Sequence, residues 1–540
     1  MMQRKMLSMS IMALLGLGSL TMAEAAVVPA GTVLADQQQI TRGNGSDPAT
    51  LDPQMAESNE AFNIILDSFA GVVALDSQGK VHPELAEKWD NQDNKVWTFH
   101  LRPGLTWSNG QPITAEDLVY SWQRLADPKT ASPYQSYISA VHLQNAEAVM
   151  SGKLPPTALG VKAIDPQTFQ VTLSQPVAWF LQAAASPSFF PVNKKVVTQF
   201  GDQWTQPANI VVSGAYKPSK WIINERFVSV RNTHYWDNKA TVINQVTYLP
   251  IAEPSATLNR YQSGEIDITD TIPTVNFAQI KKTIPEQIKQ TPLLGVYEYW
   301  FNMNKPPFND QRVRMALNLA VDKSVITDKI LGMGQKPAWT LMPLQIGGET
   351  YQPTEIAKWT LAQRIAQAKK LLAEAGFGPD KPLKAELLYN TSQDHLKIAI
   401  ALSSMWKKNL GAQITMRNQE WKTLIQTQHS GDFQLVRQSW LADYDAPPTF
   451  LNNFVTGNTQ NDGKYSNADY DKLVNAAAAE VEPEKAKQDY QQALDILSHD
   501  VPSIPLYYYV QNILVKPWVG GVSVSRLGFY KTQDMYIRKH

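Results

Sequence analysis

The sequence contains no cysteine among its 540 residues. This absence excludes disulfide bonds, thiolate metal sites and cysteine nucleophiles. It also excludes membrane tethering through a lipid attached to an N-terminal cysteine. If the chain is exported, it should therefore diffuse freely.

The common catalytic motifs are absent as well. The sequence has no Gly-x-Ser-x-Gly elbow, no Walker phosphate-binding loop and no dinucleotide-binding glycine fingerprint. Its eight histidines are scattered, without a His-x-x-x-His pair that could hold zinc on one helical face. SQGK (77–80) matches a Ser-x-x-Lys motif, but that motif needs a helix and Gly79 indicates a turn. We therefore predict no catalytic residue, no metal and no cofactor, and an exported peptidase is only a remote alternative.

An excess of one charge is also missing. Lys and Arg number 49, as do Asp and Glu, so the formal net charge is zero. A neutral balance gives no support for binding to nucleic acid, to an anionic membrane or to a strongly charged partner. The 15 tryptophans and 20 tyrosines suit both large cores and amphipathic binding surfaces, and a place in the core is the simpler explanation for most of them.

Residues 1–25 have the pattern of a secretory signal peptide. Arg4 and Lys5 form a positive start, 6–22 is uncharged and mostly apolar, and AEA (23–25) fits the small-x-small cleavage rule. The alternative, a transmembrane anchor, needs about 20 apolar residues and usually lacks a cleavage site. No later stretch approaches membrane length, so we predict a soluble exported chain without membrane insertion.

The best-specified local structure lies between residues 83 and 128. Apolar and polar residues alternate over 97–102, which predicts a strand. SNG (108–110) predicts a turn, because Asn and Gly tolerate positive φ. Thr114 can then cap a helix whose apolar residues recur on one face: Leu118, Trp122 and Leu125.

The rest of the chain alternates between helical and strand-like segments. Its length exceeds what one core usually supports, so we expect at least two domains. Beyond residue 292 the alternation predicts an α/β domain with partly parallel strands. The predicted helices include 254–262, 311–328, 360–375 and 395–410, and the predicted strands include 168–173, 266–269, 385–389 and 504–510.

Several segments closely resemble the periplasmic oligopeptide-binding proteins, the extracytoplasmic solute-binding subunits (family 5) of ABC importers. The resemblance rests on LAEKW (85–89), WTFHLR (97–102), WSNGQPITAED (107–117) and YSWQR (120–124). It covers essentially the whole mature chain, down to MYIRKH (535–540).

The resemblance implies an α/β, periplasmic-binding-protein-like two-lobe fold with an additional inserted α+β domain. Lobe I would comprise 26–69, 193–294 and 511–540. The extra domain would span 70–192 and lobe III 295–510, with two crossing segments joining the lobes.

The resemblance also implies a function. The chain would be a monomer in the periplasm of a Gram-negative bacterium, where it captures short peptides in an interlobe cleft. It would deliver them to the inner-membrane permease subunits of an ABC transporter. The alternative within the same fold is a carrier of murein peptide, haem, a metal chelate or a steroid-like acid.

The segment VRQSWLADY (436–444) contains the most informative acid. Asp443 is flanked by Trp, Leu, Ala and Tyr, so it is poorly hydrated and needs a partner. From the residues alone, a nearby Lys, Arg or backbone cap is the simpler partner. The resemblance instead implies that Asp443 holds the α-ammonium of a peptide, and it favours peptide over a cargo without an amine.

Further lining residues follow from the resemblance alone. Arg437 and His395 would meet a ligand carboxylate. Other positions would line the cleft: Trp440, Leu441, Glu57, Tyr134, Asn390, Trp421 and Tyr509. Simpler interpretations remain open, since His395 could merely start a helix and Trp421 or Tyr509 could belong to a core.

One position departs from the family pattern. Gln428 stands where many peptide carriers of this type have arginine, and Gln cannot form a charge-assisted pair with a carboxylate. We therefore expect a different preference for ligand length or for the C-terminal group. GQKPAW (334–339) is closer to murein-peptide carriers than to general oligopeptide carriers.

The signal-peptide pattern yields the first testable prediction. Signal peptidase should cut after Ala25, because the small residues at 23 and 25 fit its cleavage rule. Intact-mass measurement of protein from a periplasmic extract should give a chain that starts at Ala26. A mass that still includes residues 1–25 would contradict the prediction.

Overall fold

The structure is a computed structural model, and it describes residues 26–458 and 460–540. Within this part, the side chains of Trp421 and Lys422 are not described. The predicted signal peptide, residues 1–25, lies outside the described residues, so its cleavage stays a prediction.

The strands account for most of the framework. In chain order they are β1 Gln39–Gly43, β2 Val73–Leu75, β3 Val81–Pro83, β4 Ala86–Gln92, β5 Val96–Leu101, β6 Val161–Asp165, β7 Thr168–Thr172, β8 Tyr216–Ile222, β9 Arg226–Arg231, β10 Gln245–Leu249, β11 Ile288–Phe301, β12 Lys336–Pro337, β13 Gln345–Ile346, β14 Glu349–Thr350, β15 Lys384–Asn390, β16 Gln413–Gln419, β17 Leu435–Leu441, β18 Ser503–Leu514, β19 Val519–Gly520 and β20 Tyr536–Ile537.

The helices cover the sheets and fill the connections. They are α1 Asn59–Ser68, α2 Ala115–Ala126, α3 Gln135–Ala140, α4 Ala146–Met150, α5 Phe180–Ala184, α6 Lys194–Phe200, α7 Pro254–Gln262, α8 Thr274–Thr283, α9 Gln311–Leu319, α10 Leu361–Glu374, α11 Gln393–Leu410, α12 Trp421–His429, α13 Pro448–Leu451, α14 Ala468–Ala479 and α15 Pro483–Asp500.

Three sheets organise the molecule. One has the order β1-β10-β9-β8, a second is the antiparallel sheet β4-β5-β7-β6, and the largest has the order β12-β18-β11-β17-β15-β16. In the largest sheet β15 runs parallel to both β16 and β17, whereas β11 runs antiparallel to β17 and β18. The predicted α/β region with partly parallel strands is therefore confirmed.

The predicted strand–turn–helix unit is also confirmed. Thr114 and Asp117 form a capping box at the start of α2. Trp122 is fully buried, and its Nε1 donates to the Phe189 carbonyl at 2.9 Å. Its ring meets that of Phe169 edge-on at 5.2 Å, so α2 packs on the antiparallel sheet through its apolar face.

Two predictions from the sequence are wrong. The helix predicted over 311–328 ends at Leu319, and a π-helix follows at Val325–Leu331. The Asp322 carboxylate accepts the N–H and hydroxyl of Ser324, which starts a new helical segment instead of extending the first. The strand predicted at 266–269 is reduced to two isolated bridges that Ile268 makes. The Asp267 carboxylate accepts the N–H of Thr41 on the neighbouring β1, and also Nε1–H of Trp518, so the Thr41 N–H is not available for a continuous backbone ladder.

A fully buried arginine joins the two ends of the described chain. Arg42 on β1 lies with Nη1 3.5 Å from Oδ2 of Asp67 on α1, and it donates to Oγ1 of Thr532 at 2.9 Å. Its guanidinium also lies over the rings of Tyr530, at 4.2 Å, and Tyr248, at 5.1 Å. Segments 490 residues apart therefore share one buried contact, as the predicted composition of lobe I requires.

The strands β11 and β18 are long and paired with each other. Ile288 pairs with Leu514 at one end of the ladder and Trp300 with Ser503 at the other. The predicted boundaries at 294 and 510 fall inside these two strands, which are thus the candidates for the predicted crossing segments. The division into lobes and an inserted domain stays a prediction.

Membrane-spanning structure is not evident in the described part of the chain. No helix there combines the length and apolar composition that crossing a bilayer would require.

The buried pair of Arg42 and Asp67 yields a stability prediction. In Arg42→Met the side chain still fills space, but Asp67 remains buried without its cation, a loss that typically costs about 3–5 kcal/mol. We expect the free energy of unfolding in urea to fall by that amount. Arg226→Met is the matched control, because the side chains of Arg226 and its partner Glu225 are 43% and 55% exposed. The control should lose at most about 1 kcal/mol, and equal losses in the two variants would contradict the prediction.

Candidate functional site

Asp443 lies just beyond the end of β17 and is half-buried. Its N–H donates to Oγ1 of Thr449 at 3.0 Å, and the Thr449 hydroxyl lies 3.3 Å from Oδ2 of Asp443. The hydroxyl of Tyr137, on α3, also donates to this carboxylate. Its described partners are therefore two hydroxyl groups, where the simplest interpretation of the sequence expected a Lys, an Arg or a backbone cap.

Neutral partners leave the charge of Asp443 poorly balanced. Burial raises the pKa of this carboxyl to about 6, although the hydrogen bonds from Tyr137 and Thr449 oppose the rise. The pKa of Tyr134 and that of Tyr137 are raised by burial and by the charge on Asp443. A cationic partner would therefore stabilise the charged form of the Asp443 carboxyl.

The two residues after Asp443 contact distant parts of the chain. The ring of Tyr444 stacks on that of Trp179, with centroids 4.6 Å apart and planes 5° from parallel. Oδ1 of Asp445 accepts the Gly347 N–H at 2.7 Å, and Oδ2 lies 3.8 Å from Nη1 of Arg526. The segment 443–445 is thus enclosed by several separate segments.

A second group of polar residues surrounds Arg437 on β17. Its Nη2 donates to the Tyr509 hydroxyl at 3.1 Å, and its Nη1 lies 3.4 Å from Oδ1 of Asn390. The guanidinium lies over the Tyr297 ring at 4.6 Å, and the Tyr297 hydroxyl is 3.0 Å from Nδ1 of His395. We call these five residues the Arg437 cluster.

The Arg437 cluster has a cation without a described carboxylate partner. Arg437 is 6% exposed, and its Nε has no hydrogen-bond partner among the described residues. Burial, together with the positive charge of Arg437 and against the opposing charge of Asp394, lowers the pKa of His395 to about 3. His395 is therefore neutral near pH 7, and Arg437 alone supplies the positive charge.

Neighbouring strands position this cluster. Tyr297 on β11 pairs directly with Tyr507 on β18, and their rings stack at 4.8 Å. Asn390 ends β15, while His395 lies in the first turn of α11. The structure thus brings together Arg437, His395, Asn390 and Tyr509, four of the predicted site residues.

The two charged groups are separated along one stretch of chain. Asp443 follows Arg437 by six positions, so the two residues are at most about 20 Å apart along an extended chain. An extended peptide of about six residues would have the same length. This upper limit places both charges within reach of one extended molecule of that length.

Other predicted residues lie around Asp443. Nε1 of Trp440 is 3.5 Å from the Thr449 hydroxyl, and the side chain of Leu441 is 43% exposed at the end of β17. Glu57 is exposed just before α1, and its charge contributes to the raised pKa of Tyr134. The side chain of Trp421 lies outside the described part of the structure.

Gln428 is not brought to the Arg437 cluster. Its side chain is buried, and Nε2 donates to Oδ2 of Asp462 at 3.0 Å. Helix α12, which carries Gln428, packs through Leu424 into the core that contains Val436. Because strand side chains alternate between faces, the adjacent Arg437 points to the opposite face of the sheet. The predicted effect of Gln428 on ligand recognition stays untested, and this geometry does not favour it.

A cavity of about 500 Å³ adjoins Asp443. Segments 66–77, 82–84, 182–190 and 521–534 supply most of its lining, whereas the Arg437 cluster does not contribute. Among the described residues, no group of three or more His, Asp or Glu side chains is arranged to hold a metal ion.

Sequence reasoning missed several residues of the site. Tyr297 and Tyr507 carry a signal, since tyrosines cluster in both strands: Tyr297 and Tyr299 in β11, and Tyr507, Tyr508 and Tyr509 in β18. Tyr137 and Thr449 carry no such signal, because they reach Asp443 only through the tertiary fold.

Comparisons with known proteins agree with this architecture. The family model of the bacterial extracellular solute-binding proteins, family 5 (middle), matches residues 80–462. The periplasmic oligopeptide-binding protein OppA of Salmonella typhimurium is 48% identical over 520 residues, which is 96% of each chain. The periplasmic murein peptide-binding protein MppA of Escherichia coli is 43% identical over 525 residues, 97% of each chain. The crystal structure of Haemophilus influenzae OppA in complex with RPPGFSPFR is 40% identical, covers 94% of this chain and 100% of its own, and has a TM-score of 0.82.

The environment of His395 yields a prediction about pH. With a pKa near 3 instead of the ordinary 6.5, His395 should stay neutral from pH 8 down to pH 4. The sign follows from this lowered value: its neutral form contributes stability above pH 6.5, and that contribution is lost as the pH falls through about 3. NMR titration of the imidazole carbon signals, assigned with His395→Gln, should show no midpoint between pH 5 and 8. Arg437→Met should raise the midpoint because it removes a like charge, and a native midpoint near 6.5 would contradict the prediction.

Proposed function

The chain belongs to the bacterial extracellular solute-binding proteins of family 5, and we propose that it captures short peptides and delivers them to an ABC transporter. One observation carries the proposal. Within the described part of the chain, the half-buried carboxylate of Asp443 is hydrogen-bonded by hydroxyl groups alone, and the buried guanidinium of Arg437 contacts neutral groups alone. Two opposite charges without counter-charges suit a ligand that carries both.

A peptide in water carries these two charges at its ends. Asp443 would pair with the α-ammonium, and Arg437 with a carboxylate. His395, being neutral, would contribute a hydrogen bond and no charge. The lining would include Trp440, Leu441, Glu57, Tyr134, Asn390, Trp421 and Tyr509, as the family resemblance implies.

Binding peptides regardless of sequence requires contacts that every peptide can make. Backbone N–H and C=O groups are shared by all peptides and can pair with an exposed strand in the cleft. Side chains can be accommodated in roomy pockets where ordered water adapts to their polarity. Closure of the lobes would exclude bulk water and strengthen the contacts to both charged ends.

The names of two relatives support peptide cargo. OppA of Salmonella typhimurium is named for oligopeptides and MppA of Escherichia coli for murein peptide. Haem or a steroid-like acid would leave Asp443 without a cationic partner, which makes these cargoes poorer candidates.

We further propose that the protein is an exported periplasmic monomer, cut near Ala25, without catalytic activity.

The pairing of Asp443 with the α-ammonium can be tested by a calorimetric cycle. Removing one partner of a desolvated ion pair typically costs about 2–5 kcal/mol. At about 1.4 kcal/mol per tenfold, Asp443→Ala should weaken binding of a tripeptide by about 30- to several-thousand-fold. N-acetylation of the peptide should cause a similar loss in the native protein but little further loss in the variant. Additive losses would place the ammonium elsewhere.

Two controls accompany this cycle. Asp432→Ala removes an acid whose side chain is 75% exposed, and it should leave affinity unchanged. Lowering the pH through about 6 should weaken binding to the native protein, since a protonated Asp443 loses its charge, but should leave Asp443→Ala unaffected.

Peptide recovered after long incubation should have its original mass, and cleavage that survives repurification would contradict a carrier.

A further inference from the structure

We propose that Tyr444 and Trp179, which we call the latch pair, hold the predicted extra domain against the loop after β17 and thereby set how long a captured peptide stays bound. The inference rests on the proposed function, because it concerns the release of a bound peptide. It gives the predicted extra domain, residues 70–192, a role: this domain supplies the surface on which the loop docks.

The latch pair is buried, although its two residues come from different parts of the fold. Tyr444 follows β17, a strand of the largest sheet, whereas Trp179 immediately precedes α5. Tyr444 is 5% exposed and Trp179 7%. Their rings are stacked, with centroids 4.6 Å apart and planes 5° from parallel. Separating the two parts of the molecule would therefore expose two aromatic rings to water.

The hydrophobic core around Trp179 shows that the loop enters the opposite part of the molecule. This core is built by buried residues from 40–268 and 513–537. Of the described chain between 269 and 512, it contains the buried side chains of Tyr444 and Ala446 and no others. The loop after β17 thus inserts two apolar side chains into a core that the rest of its own region does not share.

The residues on either side of Tyr444 contact the same predicted domain. The hydroxyl of Tyr137, on α3, donates to the carboxylate of Asp443. Asp445 lies against Gly79, in the turn between β2 and β3, where an added methyl group would overlap Oδ2 of Asp445. Three consecutive loop residues therefore contact three separate segments of residues 70–192, which fixes how the loop docks.

A contact of this kind acts on dissociation. An enclosed peptide can leave only after the two parts separate, and separation breaks the stack of Tyr444 on Trp179. An arriving peptide meets the open form, in which the stack has not yet formed. The latch pair should therefore slow the release of peptide without changing its rate of arrival. Because the stack joins two side chains of the protein, its effect should not depend on the peptide sequence.

Two leucine variants test the latch pair, since Trp179→Leu and Tyr444→Leu keep an apolar side chain but remove the stack. Aromatic pairs contribute a factor of about 2 to 13 to an equilibrium constant beyond the area that they bury. We expect surface plasmon resonance on the mature protein to show dissociation faster by about that factor in each variant, with unchanged association. The factor should be the same for Ala-Ala-Ala, Ala-Phe-Ala and Ala-Glu-Ala.

A double-mutant cycle shows whether the two residues act as a pair. The double leucine variant should release peptide little faster than either single variant, because the stack is lost only once. Tyr444→Phe keeps the ring and should restore the native dissociation rate. His540→Leu is the matched control, because it removes a stack outside the latch pair, that of His540 on Trp518, with centroids 4.3 Å apart and planes 8° from parallel. It should leave both rates unchanged.

A second contact of the same loop keeps the inference testable if thermal unfolding shows that the leucine variants are misfolded. Gly79→Ala places a methyl group against the carboxylate of Asp445 and should speed dissociation. Adding Asp445→Ala removes the overlapping carboxylate and leaves the Cβ of residue 445 at 3.5 Å from the new methyl group, an ordinary contact. The combined variant should therefore release peptide more slowly than Gly79→Ala alone.

The possible outcomes separate this inference from the proposed function. Normal peptide binding with unchanged dissociation in both leucine variants would overturn the latch pair alone, as would additive effects in the cycle. A change confined to the association rate, or to one of the three peptides, would also overturn it. Failure of every peptide to bind the native protein would overturn the proposed function, and this inference with it.

Discussion

Among the described residues, two charges lie in poorly solvated positions without a side chain of opposite charge beside either one. Removing an ion from water is costly unless a partner of opposite sign offsets the loss. Asp443 receives only hydroxyl groups, and Arg437 receives an aromatic ring, a hydroxyl and an amide. The packing around Asp443 and Arg437 must therefore offset the cost of keeping both charges out of water.

The contrast with Arg42 shows what a satisfied charge looks like in the same molecule. Arg42 is as deeply buried as Arg437, but it lies 3.5 Å from Asp67 and joins the N- and C-terminal segments. Its pair with Asp67 offsets the cost of burial, whereas Arg437 has no carboxylate partner among the described residues. The long ladder of β11 and β18 then connects the region around Ile288 to the strands that carry the Arg437 cluster.

Local signals predicted local structure well. The capping box at Thr114, the glycine that ends α11 and the proline that starts α7 all mark helix boundaries through backbone chemistry within a few residues. The predicted helix over 311–328 failed where a side chain, Asp322, competed for backbone N–H groups. Gln428 was associated with ligand recognition by its position in the family. Helix α12, which carries it, packs on the face of the sheet opposite to Arg437, because side chains alternate along β17.

The sequence by itself determined most of the element types, the absence of disulfides and the family resemblance, because these depend on residue identity and short-range spacing. Only the tertiary structure decided that Tyr137 and Thr449 are the partners of Asp443 and that Tyr297 links Arg437 to His395. It also decided that Tyr444 stacks on Trp179, a residue of the predicted extra domain. The physical reason is that burial and charge compensation depend on which distant segments pack together, and no local sequence pattern specifies those contacts.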